Sequence, residues 1–346
     1  MTDRFSRRSE TPGKSVYDHA PGAIMLSAGS AYPPLLPDVS AEATHAAREL
    51  TAEAMQYGPL MGVEALRESI VAYVAEDGVR CSRDEVLITN GAKHATELAV
   101  MVFTEPGDRV IVTAPTYMTT LQCFRNHGVS LLAIPQDDEG LDAGILRARL
   151  ETMAVNGEPL PKLLFDVPDF HKPTGLTMSL ARRRSLLELA AEFGFVIIED
   201  DPYRRLRFEG DATPTIKSLD NHGLVIAVGT VSKILAPGLR VGWAIADREI
   251  VRRMALRKAD GGSSPFNQHI VASLMRSNKM REHIAEVAAQ MKLHRDVMVE
   301  SIAKEVPDAT VRAPNGGYFL WAELPPEVSG DELATKAVEH GVEVSP

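Results

Sequence analysis

The chain has 346 residues, enough for a sizeable core and for about two domains. Apolar residues make up 45% and charged residues 24%, an ordinary balance for a globular protein. The net charge of −10 argues against a nucleic-acid-binding surface. No run reaches the ~18 apolar residues of a membrane span, and the polar start of the chain lacks the apolar stretch of a signal peptide.

Residues 1–22 read as a loose polar arm. Ile24-Met25-Leu26, followed by Gly29 and Pro33-Pro34, reads as a short extended segment and a turn. Val63, Leu66, Ile70 and Val74 recur at helical spacing. Seven strands are then expected, over 85–89, 110–113, 130–133, 162–167, 195–199, 224–228 and 241–246. Helices are expected near 92–103, 117–126, 142–153 and 179–193. Repeated strand-then-helix order predicts an α/β fold with a mostly parallel seven-stranded sheet covered by helices. From about residue 247 the pattern changes. A long helix over 280–304, an extended run from Tyr318 to Leu324 and a helix over 329–340 predict a smaller α+β domain. The expected division is 1–45 (arm and substrate segment, packing with the small domain), 46–247 (large domain) and 248–346 (small domain). Cys81 and Cys123 lie far apart, with neither metal-ligand nor disulfide spacing, which points to a reducing cytoplasm.

Chemistry concentrates just beyond the strand over 224–228. There Thr230-Val231-Ser232-Lys233 is followed by Arg240. An amine with hydroxyls three and one residues before it and a guanidinium seven after suits an aldehyde that also carries a phosphate. Pyridoxal 5′-phosphate has that profile. Read alone, the segment is equally a solvated loop lysine. Glu199-Asp200-Asp201-Pro202-Tyr203 also ends a strand. A carboxylate there can hold a proton on a pyridine nitrogen, or simply cap a turn. The spacing to Tyr203 favours Asp200 over its neighbours. Gly91-Ala92-Lys93 opens a helix, where exposed amides bind phosphate. Tyr117 ends another strand and can stack on a planar group. Lys172-Pro173-Thr174-Gly175 marks a tight turn after a strand.

Together these segments resemble the fold-type I pyridoxal-phosphate enzymes, in particular the class I/II aminotransferase family and its 2-aminoadipate/kynurenine aminotransferase-like branch. The resemblance covers roughly 24–346. It implies that Lys233 is the catalytic Schiff-base lysine, that Asp200 pairs with the pyridine nitrogen and that Tyr203 binds the 3-oxygen. It implies that Tyr117 stacks on the ring, and that Gly91, Ala92, Lys93, Thr230, Ser232 and Arg240 hold the phosphate. Tyr57 would reach the neighbouring site of a homodimer, and Gly29 and Tyr32 would line the substrate pocket. The implied reaction moves an amino group between an amino acid and a 2-oxo acid, with no metal. An oxidase, cyclase, lyase or replacement enzyme on the same scaffold is the alternative. Aromatic, aliphatic and 2-aminoadipate donors are all open.

Three departures from the family stand out. Lys172 replaces the Asn of the usual Asn-Pro-Thr-Gly; an ammonium can also donate to the 3-oxygen, or swing to solvent. Ala92-Lys93 replaces the usual Ser-Gln, with His94, expected on the helix surface, next. The family's carboxylate-clamping arginine has no match before Pro346, so either the chain is a fragment, the favoured expectation, or its carboxylate recognition differs.

Overall fold

The structure, a computed structural model, describes residues 22–345. All but one residue of the expected arm over 1–22 lies outside them. The first half of the chain forms β1 (Ile24–Met25), α1 (Ser40–Glu49), α2 (Thr51–Ala54), α3 (Glu64–Ala75), β2 (Val86–Thr89), α4 (Ala92–Phe103), β3 (Arg109–Ala114), α5 (Met118–Asn126), β4 (Ser130–Asp137), β5 (Gly140–Leu141), α6 (Ala143–Val155) and β6 (Leu163–Asp166). The second half forms α7 (Leu180–Phe193), β7 (Val196–Asp201), α8 (Ile216–Leu219), β8 (Val225–Thr230), β9 (Gly242–Ile245), α9 (Arg248–Arg257), α10 (Pro265–Arg276), α11 (Lys279–Glu305), β10 (Thr310–Arg312), β11 (Trp321–Glu323), α12 (Gly330–Glu339) and β12 (Val342–Glu343).

By its contacts the chain divides into two units. The smaller takes the described residues up to Ser30, Val297–Arg312 and the chain from Trp321 on; the larger takes Ala31–Asp296 and Ala313–Leu320. In the smaller unit β1 pairs parallel to β12, Ile24 opposite Val342, and β10 pairs antiparallel to β11. Ser329 caps α12 by accepting the Glu332 N–H at 3.3 Å.

The larger unit is built on one sheet of order β2-β9-β8-β7-β6-β3-β4-β5. All seven predicted strands are in it, and the two-residue β5 adds an eighth at the edge. β4, β3, β6, β7 and β8 run parallel, while β5 and β9 run against their neighbours. The parallel connections pass through helices, as right-handed crossovers require. Every residue of β2, β6 and β9 is buried. A sheet covered on both faces demands such unbroken apolar runs. One face packs on Leu98, Val112, Phe165 and Val251, among others. Leu146, Leu150, Leu186 and Ile197 belong to a second layer, and Leu66, Ile70, Trp243 and Ile270 to a third.

Residues 247–276, left without elements by periodicity, form α9 and α10. Asp247 caps α9, accepting the Glu249 N–H at 2.9 Å, and Ser264 caps α10 ahead of Pro265.

Candidate active site

The chemistry-bearing residues collect at the carboxyl ends of the parallel strands, where open α/β sheets place their ligands. Side chains on β7 alternate between the two faces. Glu199 turns to one side and accepts the Ile216 and Lys217 N–H groups at 2.7 and 2.8 Å, which caps α8. Asp201 accepts the Arg204 N–H at 3.2 Å. Asp200 alone faces Lys233. This alternation resolves the ambiguity that three successive acids leave in the sequence.

Asp200 is 7% exposed. Burial pushes its carboxyl up to about 7, against the pull of the Lys233 charge. Its Oδ1 is buried and has no hydrogen-bond partner. Lys233 sits in the turn after β8, and its carbonyl accepts the Tyr318 hydroxyl at 3.0 Å. Burial lowers its amine below the usual lysine range, and Asp200 pulls it partly back. Tyr203 is buried against Phe319 and Tyr318, with ring centroids 5.8 and 6.0 Å away. Burial, Tyr117, Asp200 and Tyr318 hold its hydroxyl well above the ordinary tyrosine range. Lys172 Nζ lies 4.4 Å from the Tyr117 ring centroid and 4.6 Å from that of Phe319. These distances, with the charges of Asp200 and Lys233 acting on each other and on Tyr203 and Lys172, bring Lys172, Tyr117, Tyr203, Asp200 and Lys233 into one cluster.

A second group forms beside it. Gly91 adopts φ +89° ahead of α4. A side chain on Gly91 would come within 3.1 Å of the Arg240 guanidinium, and one on Gly242 within 2.6 Å of the Gly91 backbone. The two glycines thus let the first turn of α4, where the Ala92 and Lys93 amides lie ahead of the helix's own bonding, close on Arg240. Arg240 Nη2 donates to the Asn90 carbonyl at 2.7 Å. Thr230 and Ser232 share a hydrogen bond at 2.9 Å. Amides at a helix start, two hydroxyls and a guanidinium form an anion cradle.

His94, expected on the helix surface, is instead partly buried. Its Nδ1 accepts the Asn90 N–H at 3.2 Å and lies 3.7 Å from Asp260. Asn90 Nδ2 donates to Asp260 at 2.7 Å. Asp260 and Phe319 were not among the sequence candidates. Phe319 was within reach as an aromatic in a predicted extended run, whereas Asp260 carries no local signal. Tyr32 lies edge-on to His294, with ring centroids 5.5 Å apart. Gly29 is buried and belongs to the smaller unit. Tyr57 is 85% exposed. No group of three or more metal-ligating side chains occurs among the described residues.

The residues present fit pyridoxal phosphate. The unpartnered Asp200 acceptor suits a protonated nitrogen, the cradle a phosphate, and the Lys233 amine an aldehyde. Fold and cluster together define a pyridoxal-phosphate-dependent enzyme of fold type I. Residues 23–346 match the family aminotransferase class I and II. The chain is 35% identical to aromatic-amino-acid aminotransferase 1 of Thermococcus litoralis, over 93% of this chain and 79% of the relative. It is 33% identical to 2-aminoadipate transaminase of Thermus thermophilus, over 94% and 81%. Kynurenine aminotransferase of Pyrococcus horikoshii, solved in complex with PMP, superposes with a TM-score of 0.93 at 34% identity, covering 100% of this chain and 88% of that one. The chain belongs to aminotransferase class I and II. It is a pyridoxal-phosphate-dependent transaminase, and these relatives favour that reading over another reaction on the same scaffold.

Proposed function

We propose that Lys233 carries the cofactor and moves the substrate's proton, with Asp200 governing the ring nitrogen. The observation that carries this reading is the buried Asp200–Lys233 pair, in which each charge acts on the other and Asp200 keeps an acceptor unpartnered. When bound, pyridoxal phosphate supplies an electron sink for the bonds at the amino acid's α-carbon. Asp200 holds a proton on the ring nitrogen, and binding that cation returns its carboxyl to the ionised form. Lys233, whose amine gives up its proton more readily than an ordinary lysine, takes the proton from the α-carbon and delivers it to C4′.

Gly91, Ala92, Lys93, Thr230, Ser232 and Arg240 hold the phosphate. Tyr117 covers one face of the ring, Tyr203 donates to the 3-oxygen, and Lys172 lines the same side. The amino donors are aromatic or acidic amino acids, by analogy with the named relatives. Tyr57 enters the site of a second copy of the chain; its exposure, with that of Met55 (62%) and Leu60 (39%), supports a homodimer. The free cysteines Cys81 and Cys123 support a cytoplasmic setting. The net charge of −10 supports small-molecule substrates over nucleic acid, and no described helix is long and apolar enough to cross a membrane.

Incubation with phenylalanine, kynurenine or 2-aminoadipate and 2-oxoglutarate tests the reaction. Glutamate formation that stops in Lys233→Ala is expected. Oxygen consumption without glutamate would overturn the assignment.

A further inference from the structure

Asp260 is a carboxylate beside a site built to hold an anion. Its side chain is 20% exposed. It lies in the loop after α9, and that loop is pinned to the end of β2. Lys258, two residues earlier, is buried and donates to the Ile88 carbonyl of β2 at 2.9 Å and to the Leu60 carbonyl at 3.1 Å. Asp260 Oδ1 accepts the Gly262 N–H at 2.9 Å, the local bond by which an Asp shapes a turn. Its Oδ2 accepts the Asn90 side-chain amide at 2.7 Å.

Asn90 is where the two halves of the cradle meet. Its N–H donates to His94 Nδ1, in the first turn of α4, at 3.2 Å. Burial lowers His94 below the usual histidine range, which keeps Nδ1 free to accept. The Asn90 carbonyl accepts Arg240 Nη2 at 2.7 Å, and the next residue, Gly91, opens α4. Arg240 has φ +52°, uncommon for a residue with a side chain, so its surroundings hold its backbone in place. Its guanidinium is a rigid planar fork, and the direction of the fork decides which oxygens it meets. A neutral carbonyl fixes one arm of that fork and leaves its charge to the phosphate. Asp260 reaches this carbonyl through the Asn90 side chain. By charge alone a carboxylate here opposes a phosphate. By its hydrogen bond it steadies the group that aims Arg240. The two effects have opposite signs, so measurement separates them.

We propose that Asp260 is a positioning residue of the cradle, which acts through Asn90 to hold the Arg240 guanidinium on the cofactor's phosphate. This rests on the reading of the cradle as the phosphate site. One hydrogen bond to a charged, partly exposed acceptor is worth about 3- to 30-fold in affinity for the phosphate.

The probes are pyridoxal 5′-phosphate and pyridoxal, which share the aldehyde and the ring and differ in the phosphate. Their dissociation constants are measured by titrating the visible band of the cofactor-free protein, and their ratio isolates the phosphate's contribution. The parent is expected to prefer pyridoxal phosphate. In Asp260→Ala that preference falls by about 3- to 30-fold while pyridoxal binds as before, which shows that the fold is intact. Asp260→Asn keeps an acceptor for Asn90 without the charge and retains the preference. In an Arg240→Gln background, Asp260→Ala changes nothing further, because the group it acts through is gone. A preference unchanged or raised in Asp260→Ala overturns the proposal, since charge repulsion then outweighs the hydrogen bond. Equal losses for both probes, or a loss as large in Asp260→Asn as in Asp260→Ala, overturn it as well. A loss that persists without Arg240 routes Asp260 through another neighbour, such as the Tyr57 ring that packs by Gly261, and refutes the assignment. A parent with no preference refutes the cradle reading itself, whereas a parent with the preference and an indifferent Asp260→Ala refutes the Asp260 assignment alone.

Discussion

Replacing Asp200 with Asn should make the cofactor-free protein more stable while weakening its grip on the cofactor. The folded protein moves this carboxyl from 3.8 to about 7. That difference is worth about 4 kcal/mol. Because the folded value is raised, the penalty is absent below about pH 4, grows between pH 4 and 7, and is complete above pH 7. Asn keeps the shape and removes the charge. The gain at pH 8 is at most about 4 kcal/mol, because Lys233 loses an attractive partner in the same step. The pH dependence is the sharper signature. The penalty at pH 5.5 is about half its full value, so the advantage of Asp200→Asn should grow by about 2 kcal/mol from pH 5.5 to pH 8. Urea unfolding of both cofactor-free proteins at the two pH values measures this. A variant less stable than the parent at pH 8, or an advantage that does not grow with pH, would refute the picture of an unpartnered buried carboxyl. Adding pyridoxal phosphate should reverse the order, since Asp200 then gains the partner it lacks.

Other residues make separate predictions. Lys233→Ala should lower transamination by at least ~10²-fold, the lower end of what a positioned acid–base group contributes, as read by glutamate formation. Gly91→Ala meets both a positive φ and the Arg240 guanidinium at 3.1 Å. It should cost about 1–3 kcal/mol in stability and weaken cofactor binding, measured by fluorescence titration; unchanged affinity would remove Gly91 from the cradle. Mixing Tyr57→Ala with Lys233→Ala, each of low activity, should restore about a quarter of the parental activity through hybrid dimers, each with one complete site. No recovery after subunit exchange would contradict a shared site.

Much of the sheet was legible because strands such as β2, β6 and β9 are buried along their whole length and so appear as short apolar runs between turns. β5, with two residues, is too short to show any period. α9 carries charged residues between few buried positions, and α10 buries polar Gln268 and His269 along with Ile270, Val271 and Leu274, which blurs its period; their caps, Asp247 and Ser264 with Pro265, mark where they begin. At the site, Lys233 and Arg240 were legible because one loop carries them. Asp200 was favoured among three acids only by its spacing to Tyr203, since which acid meets Lys233 depends on the face of β7 each side chain takes. Asp260 and Phe319 reach the cluster through tertiary folding, from positions 60 or more residues beyond Asp200 or Thr89 along the chain. The contacts of Lys172 with Tyr117 and Phe319 come from separate stretches of the chain and leave no mark in its local sequence.

Three lysines, Lys93, Lys172 and Lys233, share this site, and Lys172 too has a lowered amine. Borohydride reduction of the pyridoxal-phosphate-loaded protein, followed by peptide mapping, fixes the cofactor to the amine that carries it. The label is predicted on the peptide containing Lys233, and its absence is predicted in Lys233→Ala. A label on Lys172 or Lys93 in the parent protein would contradict the account at its centre.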